Sequence, residues 1–141
     1  MSFKFEKLEV WHDALEYVDQ IYLIAEQLPR SEEYNLKSQL IRAATSVALN
    51  IAEGSTSQTN IEQARFVGLA LRSLIETVAC QHLISRRKLL EDPAPLRRAY
   101  TDANTLARKL QALRATLVPQ HSWVREEGEE YDVTISTSDA E

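Results

Sequence analysis

Apolar side chains recur every three or four residues along four segments of the chain, a pattern typical of amphipathic helices. Over residues 8–28 this spacing predicts a helix with two adjacent apolar seams. The core seam holds Val10, Ala14, Tyr17, Ile21, Ile24 and Leu28, and the second seam holds Trp11, Leu15, Val18, Tyr22 and Ala25. Together they form a face wider than one partner helix covers, so we expect burial beyond one subunit.

Three further helices are predicted over residues 36–53, 59–90 and 94–117. The connections between the four helices are short, which favours antiparallel neighbours. The predicted fold is therefore an all-α, antiparallel up-down-up-down four-helix bundle spanning residues 1–118. Residues 119–141 are acidic and rich in small polar side chains near their end, and we expect them to form a mobile tail.

Cap signals support these boundaries. Gly54 is expected to end the second helix with a positive φ. Thr59 and Glu62 fit a capping box at the start of the third, and Asp92 is expected to cap the fourth. Gly68 interrupts the third helix at a cost of about 1 kcal/mol relative to Ala, which indicates a close helix crossing.

Charge is distributed unevenly along the chain. The net charge is −5, but residues 81–118 carry eight Lys and Arg against three Asp and Glu, whereas residues 119–141 carry one against seven. The single cysteine, Cys80, cannot form an internal disulfide, which favours a reducing compartment and a cytoplasmic location. We find no signal peptide and expect no membrane-spanning segment.

A polar stripe runs along the alanine-rich second helix. It consists of Arg42, Ser46, Asn50 and Glu53, spaced four, four and three residues apart. A solvated face usually carries Lys and Glu, so we favour a partly buried structural lock over a ligand-binding or catalytic role. Ser73 and Glu76 of the third helix are the expected partners for Asn50 and Arg42.

Little in the sequence indicates an enzyme, a metal or a cofactor. Glu9 and His12 have the Glu-x-x-His spacing of di-iron bundles, but such sites need two copies of that motif and two more glutamates. The three histidines lie in no recognisable catalytic arrangement. The interpretation is a non-enzymatic protein without cofactor or metal.

The basic third quarter of the chain is the strongest functional candidate. Its cations are Arg86, Arg87, Lys88, Arg97, Arg98, Arg108 and Lys109. Eleven residues are close to three helical turns, so 97 aligns with 108 and 98 with 109 in two rows. Such a surface binds phosphate, yet cations also suit a solvated helix face and a helix C-terminus. Both interpretations stay open.

An ordered set of residues resembles the bacterial four-helix-bundle family first named for proteins encoded in 23S rRNA intervening sequences. The set comprises Leu8, Trp11, Leu28-Pro29, Glu33-Tyr34-Asn35-Leu36, Gln39-Leu40, Arg42-Ala43-Ala44, Ser46-Val47, Asn50-Ile51-Ala52-Glu53-Gly54, Ala70-Leu71, Ser73-Leu74 and Glu76. The family often has glycine where Asn35 stands, so a positive φ is expected there.

The resemblance implies a small bundle that assembles into a homopentameric ring. In a related branch, the accessory protein of diversity-generating retroelements, a basic barrel binds nucleic acid and a reverse transcriptase. We therefore expect a homo-oligomer, with RNA or DNA and a reverse transcriptase or other protein as possible partners. The alternative is a protein-interaction module without a nucleic-acid role.

Overall fold

The computed structural model describes residues 2–118 and contains four α-helices. They are α1 (Glu9–Glu26), α2 (Leu36–Gly54), α3 (Asn60–Arg86) and α4 (Ala94–Leu117). Short 3₁₀ turns at Lys4–Lys7 and Arg30–Glu32 precede α1 and α2. The tail predicted for residues 119–141 lies outside the described residues.

The helices form the predicted all-α bundle. Each helix packs against its neighbours in sequence, and α1 also packs against α4, which closes the bundle. Every helix buries side chains at the three- and four-residue spacing, from Tyr17 and Ile21 on α1 to Leu106 and Leu110 on α4. Cys80 is also buried, and this burial raises the pKa of its thiol.

The predicted cap residues of α3 and α4 both accept hydrogen bonds at the helix starts. The Thr59 hydroxyl accepts a hydrogen bond from the Glu62 backbone N–H at 3.1 Å, as a capping residue should. The Asp92 carboxylate accepts a hydrogen bond from the Ala94 N–H at 3.0 Å. Pro93, however, occupies the cap position itself, so the predicted cap is displaced by one residue.

The backbone predictions at Gly54 and Asn35 were wrong. Asn35 has φ −127°. Gly54 is the last residue of α2, and its φ is not positive. Glycine is needed at position 54 because a Cβ there would lie 2.8 Å from the Cβ of Phe66. At Gly68 a Cβ would lie 3.3 Å from the guanidinium carbon of Arg114, so the close approach there is made by a side chain of α4.

A chain of hydrogen bonds crosses the core from α3 to α1 and back. The Thr77 hydroxyl donates to the Leu74 carbonyl at 2.6 Å, so Thr77 accepts from the Tyr17 hydroxyl at 2.7 Å. The Tyr17 oxygen in turn accepts from the Gln81 side-chain amide at 2.7 Å. Burial raises the pKa of Tyr17 to about 12, which keeps its hydroxyl protonated as the donor.

Half of the predicted polar stripe contributes to a contact between α2 and α3, with partners other than those expected. The Ser46 and Ser73 hydroxyls lie 2.8 Å apart, and the Asn50 amide donates to the Ser46 carbonyl and hydroxyl at 2.9 and 3.0 Å. Arg42 instead donates to the Ser38 hydroxyl at 2.9 Å.

The other stripe residues correct the prediction. Arg42, Glu53 and Glu76 are exposed, and within residues 2–118 Glu76 forms no ion pair with Arg42. The expected partner of Asn50 also differs, because Asn50 bonds to Ser46 on its own helix and Ser73 bonds to Ser46. The lock between α2 and α3 is therefore a small serine and asparagine cluster without charged members.

Several large apolar side chains remain at the surface of the single subunit. In the second seam of α1, Leu15 is 40% exposed and Tyr22 is 43% exposed, although Ala25 is buried. Leu49 on α2 and Ile75 on α3 are more than half exposed. The wide apolar face expected from the sequence is thus only partly covered by the bundle.

The helix α3 is long and apolar enough to cross a membrane by length and composition alone, contrary to the expectation that no segment reaches this limit. In the bundle, 44% of its most apolar window is buried. A core helix of a folded protein passes the same test of length and composition, so the composition of α3 alone does not indicate a membrane span.

Candidate nucleic-acid interface

Five of the predicted cations lie around the end of the bundle where α3 finishes and α4 begins. Arg86 is the last residue of α3, and Arg87 and Lys88 follow it directly. Arg97 and Arg98 lie near the start of α4. Only Glu91 and Asp92 supply negative charge between residues 86 and 98, so this segment of the chain is locally basic.

The C-terminus of α3 has the hydrogen bonds of a Schellman motif. The Leu89 N–H donates to the Ile84 carbonyl, and the Lys88 N–H donates to the Ser85 carbonyl, both at 3.1 Å. Lys88 occupies the left-handed position of this motif with φ 53°, and it is the one non-glycine residue with positive φ among residues 2–118. Glycine is the usual residue there because it lacks a Cβ.

This geometry ends α3 four residues before the predicted boundary at residue 90. Leu89 then packs against the core, which holds the connection to α4 in place. The backbone turn therefore directs the chain through Arg86, Arg87 and Lys88 along the surface of the bundle. All three side chains are exposed.

Arg97, Arg98 and Arg108 on α4 are also exposed. Arg108 lies eleven residues beyond Arg97, about 16 Å along the helix axis at 1.5 Å per residue. Like the three cations at the end of α3, these arginines make no side-chain hydrogen bond or ion pair with any described residue. Six of the seven predicted cations can therefore meet an anion without first breaking a side-chain hydrogen bond or ion pair to any of residues 2–118.

Lys109 is the exception, and it corrects the predicted basic rows. Its ammonium group donates to the Asp13 carboxylate at 2.8 Å and to the Glu9 carboxylate at 2.7 Å. The hydrogen bonds with Asp13 and then Glu9 raise the pKa of Lys109 above its usual value. Lys109 therefore links α4 to α1, and its charge is neutralised within the chain.

A cleft of about 430 Å³ opens between α3 and α4 beside the basic end. Gln81 and His82 of α3 and Arg97 and Tyr100 of α4 are among its lining residues. The His82 and Tyr100 rings meet edge to face, with centroids 6.1 Å apart. Because Arg97 belongs to both features, the cleft is continuous with the basic surface.

Sequence reasoning missed Gln81 and Tyr100 because neither belongs to a known motif. A signal was nevertheless present, since Thr77 and Gln81 are polar residues at inward-facing positions of α3, three and seven residues after Leu74. Buried polar side chains need hydrogen-bond partners, so two of them on one core seam indicate a local network.

Glu9 and His12 both form contacts within the chain. Glu9 binds Lys109, and the His12 Nε2 atom donates a hydrogen bond to the Glu6 carbonyl at 2.8 Å. Within residues 2–118, no three His, Cys, Asp or Glu side chains are grouped so as to hold a metal ion.

Residues 6–112 match the sequence profile of a family described as 23S rRNA-intervening sequence protein. The chain belongs to this family. The resemblance found in the Gln39–Gly54 region and its surroundings is thereby confirmed over three quarters of the chain.

The fold of this family member also occurs in a solved structure. A protein of unknown function from the S23 ribosomal protein family of Bacteroides thetaiotaomicron VPI-5482, determined by crystallography at 1.70 Å, superposes with a TM-score of 0.69. The two chains are 21% identical, and the alignment covers 74% of this chain and 97% of that one. At this identity the comparison shows the fold alone. No curated protein matches the chain.

The left-handed position of Lys88 generates a stability prediction. A side chain in this conformation costs about 1–2 kcal/mol, and glycine gives back about 0.5–1 kcal/mol through its freer unfolded state. Lys88→Gly should therefore raise the free energy of unfolding by about 0.5–1 kcal/mol. Urea unfolding at one fixed protein concentration measures this change.

The matched control is Lys88→Ala, which removes the same charge and retains a Cβ. It should leave the free energy of unfolding close to that of the original protein. If alanine stabilised the chain as much as glycine, charge repulsion at the end of α3, rather than backbone conformation, would explain the gain.

Proposed function

We propose that this protein is a non-enzymatic, cytoplasmic scaffold that binds RNA or DNA through the basic end of the bundle. The observation that carries the proposal is the set of six exposed cations without partners among the described residues. They are Arg86, Arg87, Lys88, Arg97, Arg98 and Arg108. Five of the six lie around the connection from α3 to α4, where their positive potentials add.

The conformation of Lys88 supports the same proposal. A lysine at a position that favours glycine lowers stability, and strain of this kind is concentrated at functional sites. A lysine at this position is explained if its positive charge contributes to ligand binding. The negative dipole end of α3 also attracts cations, but this effect does not require one in the left-handed position.

Phosphate groups are the ligand that this chemistry favours. A guanidinium group binds phosphate through two parallel hydrogen bonds, and five of the six cations are arginines. Contacts with phosphate carry no sequence information directly, so we expect little base preference from these residues. The affinity should fall steeply with salt because binding releases counterions.

We also propose that the protein forms a homo-oligomer, with the pentamer implied by its family resemblance as the expected form. The exposed Leu15 and Tyr22 in the second seam of α1 support this assembly, because a second copy can cover them. Repeating the basic end in every subunit would raise the local positive potential and allow several contacts along one strand.

Removal of three cations from the basic end tests nucleic-acid binding. We expect Arg86→Gln, Arg87→Gln and Arg98→Gln together to weaken binding to a labelled RNA or DNA strand at low salt. Each lost phosphate contact should reduce the slope of log affinity against log salt by about 0.7–0.9, so three should reduce it by about 2–3. Fluorescence anisotropy over a salt series measures both quantities.

The control changes the same number of charges elsewhere. Lys4→Gln, Lys7→Gln and Arg72→Gln replace three exposed cations outside this end of the bundle, before α1 and in the middle of α3. We expect the salt slope of this variant to remain near that of the unchanged protein. Equal losses in both variants, or no binding by the unchanged protein at low salt, contradict the proposed interface.

Analytical ultracentrifugation tests the oligomer. The unchanged protein should sediment as a closed oligomer at micromolar concentration, and Leu15→Glu with Tyr22→Glu should shift it towards a monomer. Leu23→Glu is the control, since Leu23 is 60% exposed on the same helix but outside the seam. A monomeric unchanged protein contradicts the assembly.

A further inference from the structure

The Gln81 side chain presents a buried hydrogen-bond acceptor at the cleft between α3 and α4. Its amide nitrogen is committed to Tyr17, whose own proton is committed to Thr77. This chain fixes the orientation of the Gln81 amide. The residue is 4% exposed, and its Oε1 atom accepts no hydrogen bond from any described residue.

A buried acceptor of this kind favours a ligand with an N–H donor, because an unmatched polar group lowers stability. Gln81 lines the cleft, but its Oε1 atom is itself covered, so a donor reaches this oxygen only when the side chains of the cleft wall move aside.

The remaining walls of the cleft favour a flat ligand with a negative charge. Tyr100 and His82 provide aromatic surface, and Leu96 is a buried apolar residue beside them. Arg97 provides an exposed cation at the edge. The volume, about 430 Å³, falls within the range of about 300–1,000 Å³ typical of small-ligand clefts.

We propose that the cleft between α3 and α4 binds one unstacked nucleotide, with its base against Tyr100, a base N–H donating to Gln81 and its phosphate at Arg97. This inference deepens the proposed function and rests on it. The nucleobase is the part of a nucleic acid that combines an aromatic plane with N–H donors, and base stacking on aromatic side chains is a general means of binding single strands.

In this arrangement two sets of residues bind different parts of the nucleic acid. Arg86, Arg87, Lys88, Arg98 and Arg108 hold the strand through phosphates, whereas Gln81 and Tyr100 require an accessible base. Bases in a duplex are paired and stacked, so the cleft favours single-stranded over double-stranded nucleic acid. The preference should come from this cleft and not from the cations.

The test compares two strands of about 12 nucleotides, within the range of sites on single-strand-binding modules. One strand carries bases and the other is abasic, so the two have equal charge. We expect the full-length protein to bind the base-bearing strand at least about fivefold more tightly, the lower end of the contribution of one stacked base. Tyr100→Leu should reduce this ratio to near one while leaving affinity for the abasic strand unchanged.

Two further variants make the comparison specific. Tyr34→Leu is the matched control, since Tyr34 is 94% exposed and does not line the cleft, and it should preserve the ratio. Ser85→Leu adds bulk at an exposed position on the cleft wall and should lower the ratio without removing an aromatic ring from the bundle. Circular dichroism spectra of all variants verify that the helices are retained.

The results separate this inference from the proposed function. Equal binding of base-bearing and abasic strands by the unchanged protein overturns the nucleotide cleft and leaves phosphate binding intact. Failure to bind either strand overturns both. A ratio that survives both Tyr100→Leu and Ser85→Leu also overturns the cleft, because bases would then be recognised elsewhere.

A second arm identifies the source of the nucleotide. Adenosine monophosphate is titrated into the protein while the side-chain amide resonances of Gln81 are followed by NMR. A saturable shift that is lost in Tyr100→Leu supports a cleft that also accepts free nucleotides. A base-dependent strand affinity without such a shift supports a cleft that needs the neighbouring phosphates of a strand.

Discussion

The hydrogen-bond chain through Thr77, Tyr17 and Gln81 is the contact on which the functional side of the bundle depends. It joins α1 to α3 in the core, where a polar group without a partner would be costly. It also determines the direction of the Gln81 amide, because the Thr77 and Tyr17 hydroxyl protons are both used within the chain and Gln81 must therefore be the donor to Tyr17. A network that links α1 to α3 across the core therefore sets the chemistry of a cleft between α3 and α4.

The basic surface depends on a second local constraint, the way in which α3 ends. The Schellman motif at Lys88 turns the chain and leaves Arg86, Arg87 and Lys88 exposed beside Arg97 and Arg98 of α4. Lys109, in contrast, is not available to a ligand, because its ammonium group pairs with two carboxylates of α1 and links α4 to α1. The helix face that a cation occupies therefore decides whether it forms an ion pair within the bundle or remains exposed to an external anion.

Much of the fold could be predicted because heptad-like spacing identifies buried faces without knowledge of tertiary contacts. Helix ends were less predictable, since the early end of α3 depends on a lysine in a conformation that sequence patterns assign to glycine. The need for glycine at position 54 arises from Phe66 on another helix. The polar stripe was predicted as a unit, but only Ser46, Asn50 and Ser73 lie close enough to bond. The cleft could not be predicted, because its residues come from separate helices and share no motif.

The most direct test of the account is a crystal structure of the protein bound to a short single-stranded oligonucleotide. The account predicts phosphates beside Arg86, Arg97 and Arg98, and one base inserted between α3 and α4. The inserted base should place an N–H donor within about 3.2 Å of the Gln81 Oε1 atom, the limit for a hydrogen bond of this type. A strand bound on another face of the bundle, with the cleft unchanged, would contradict the account.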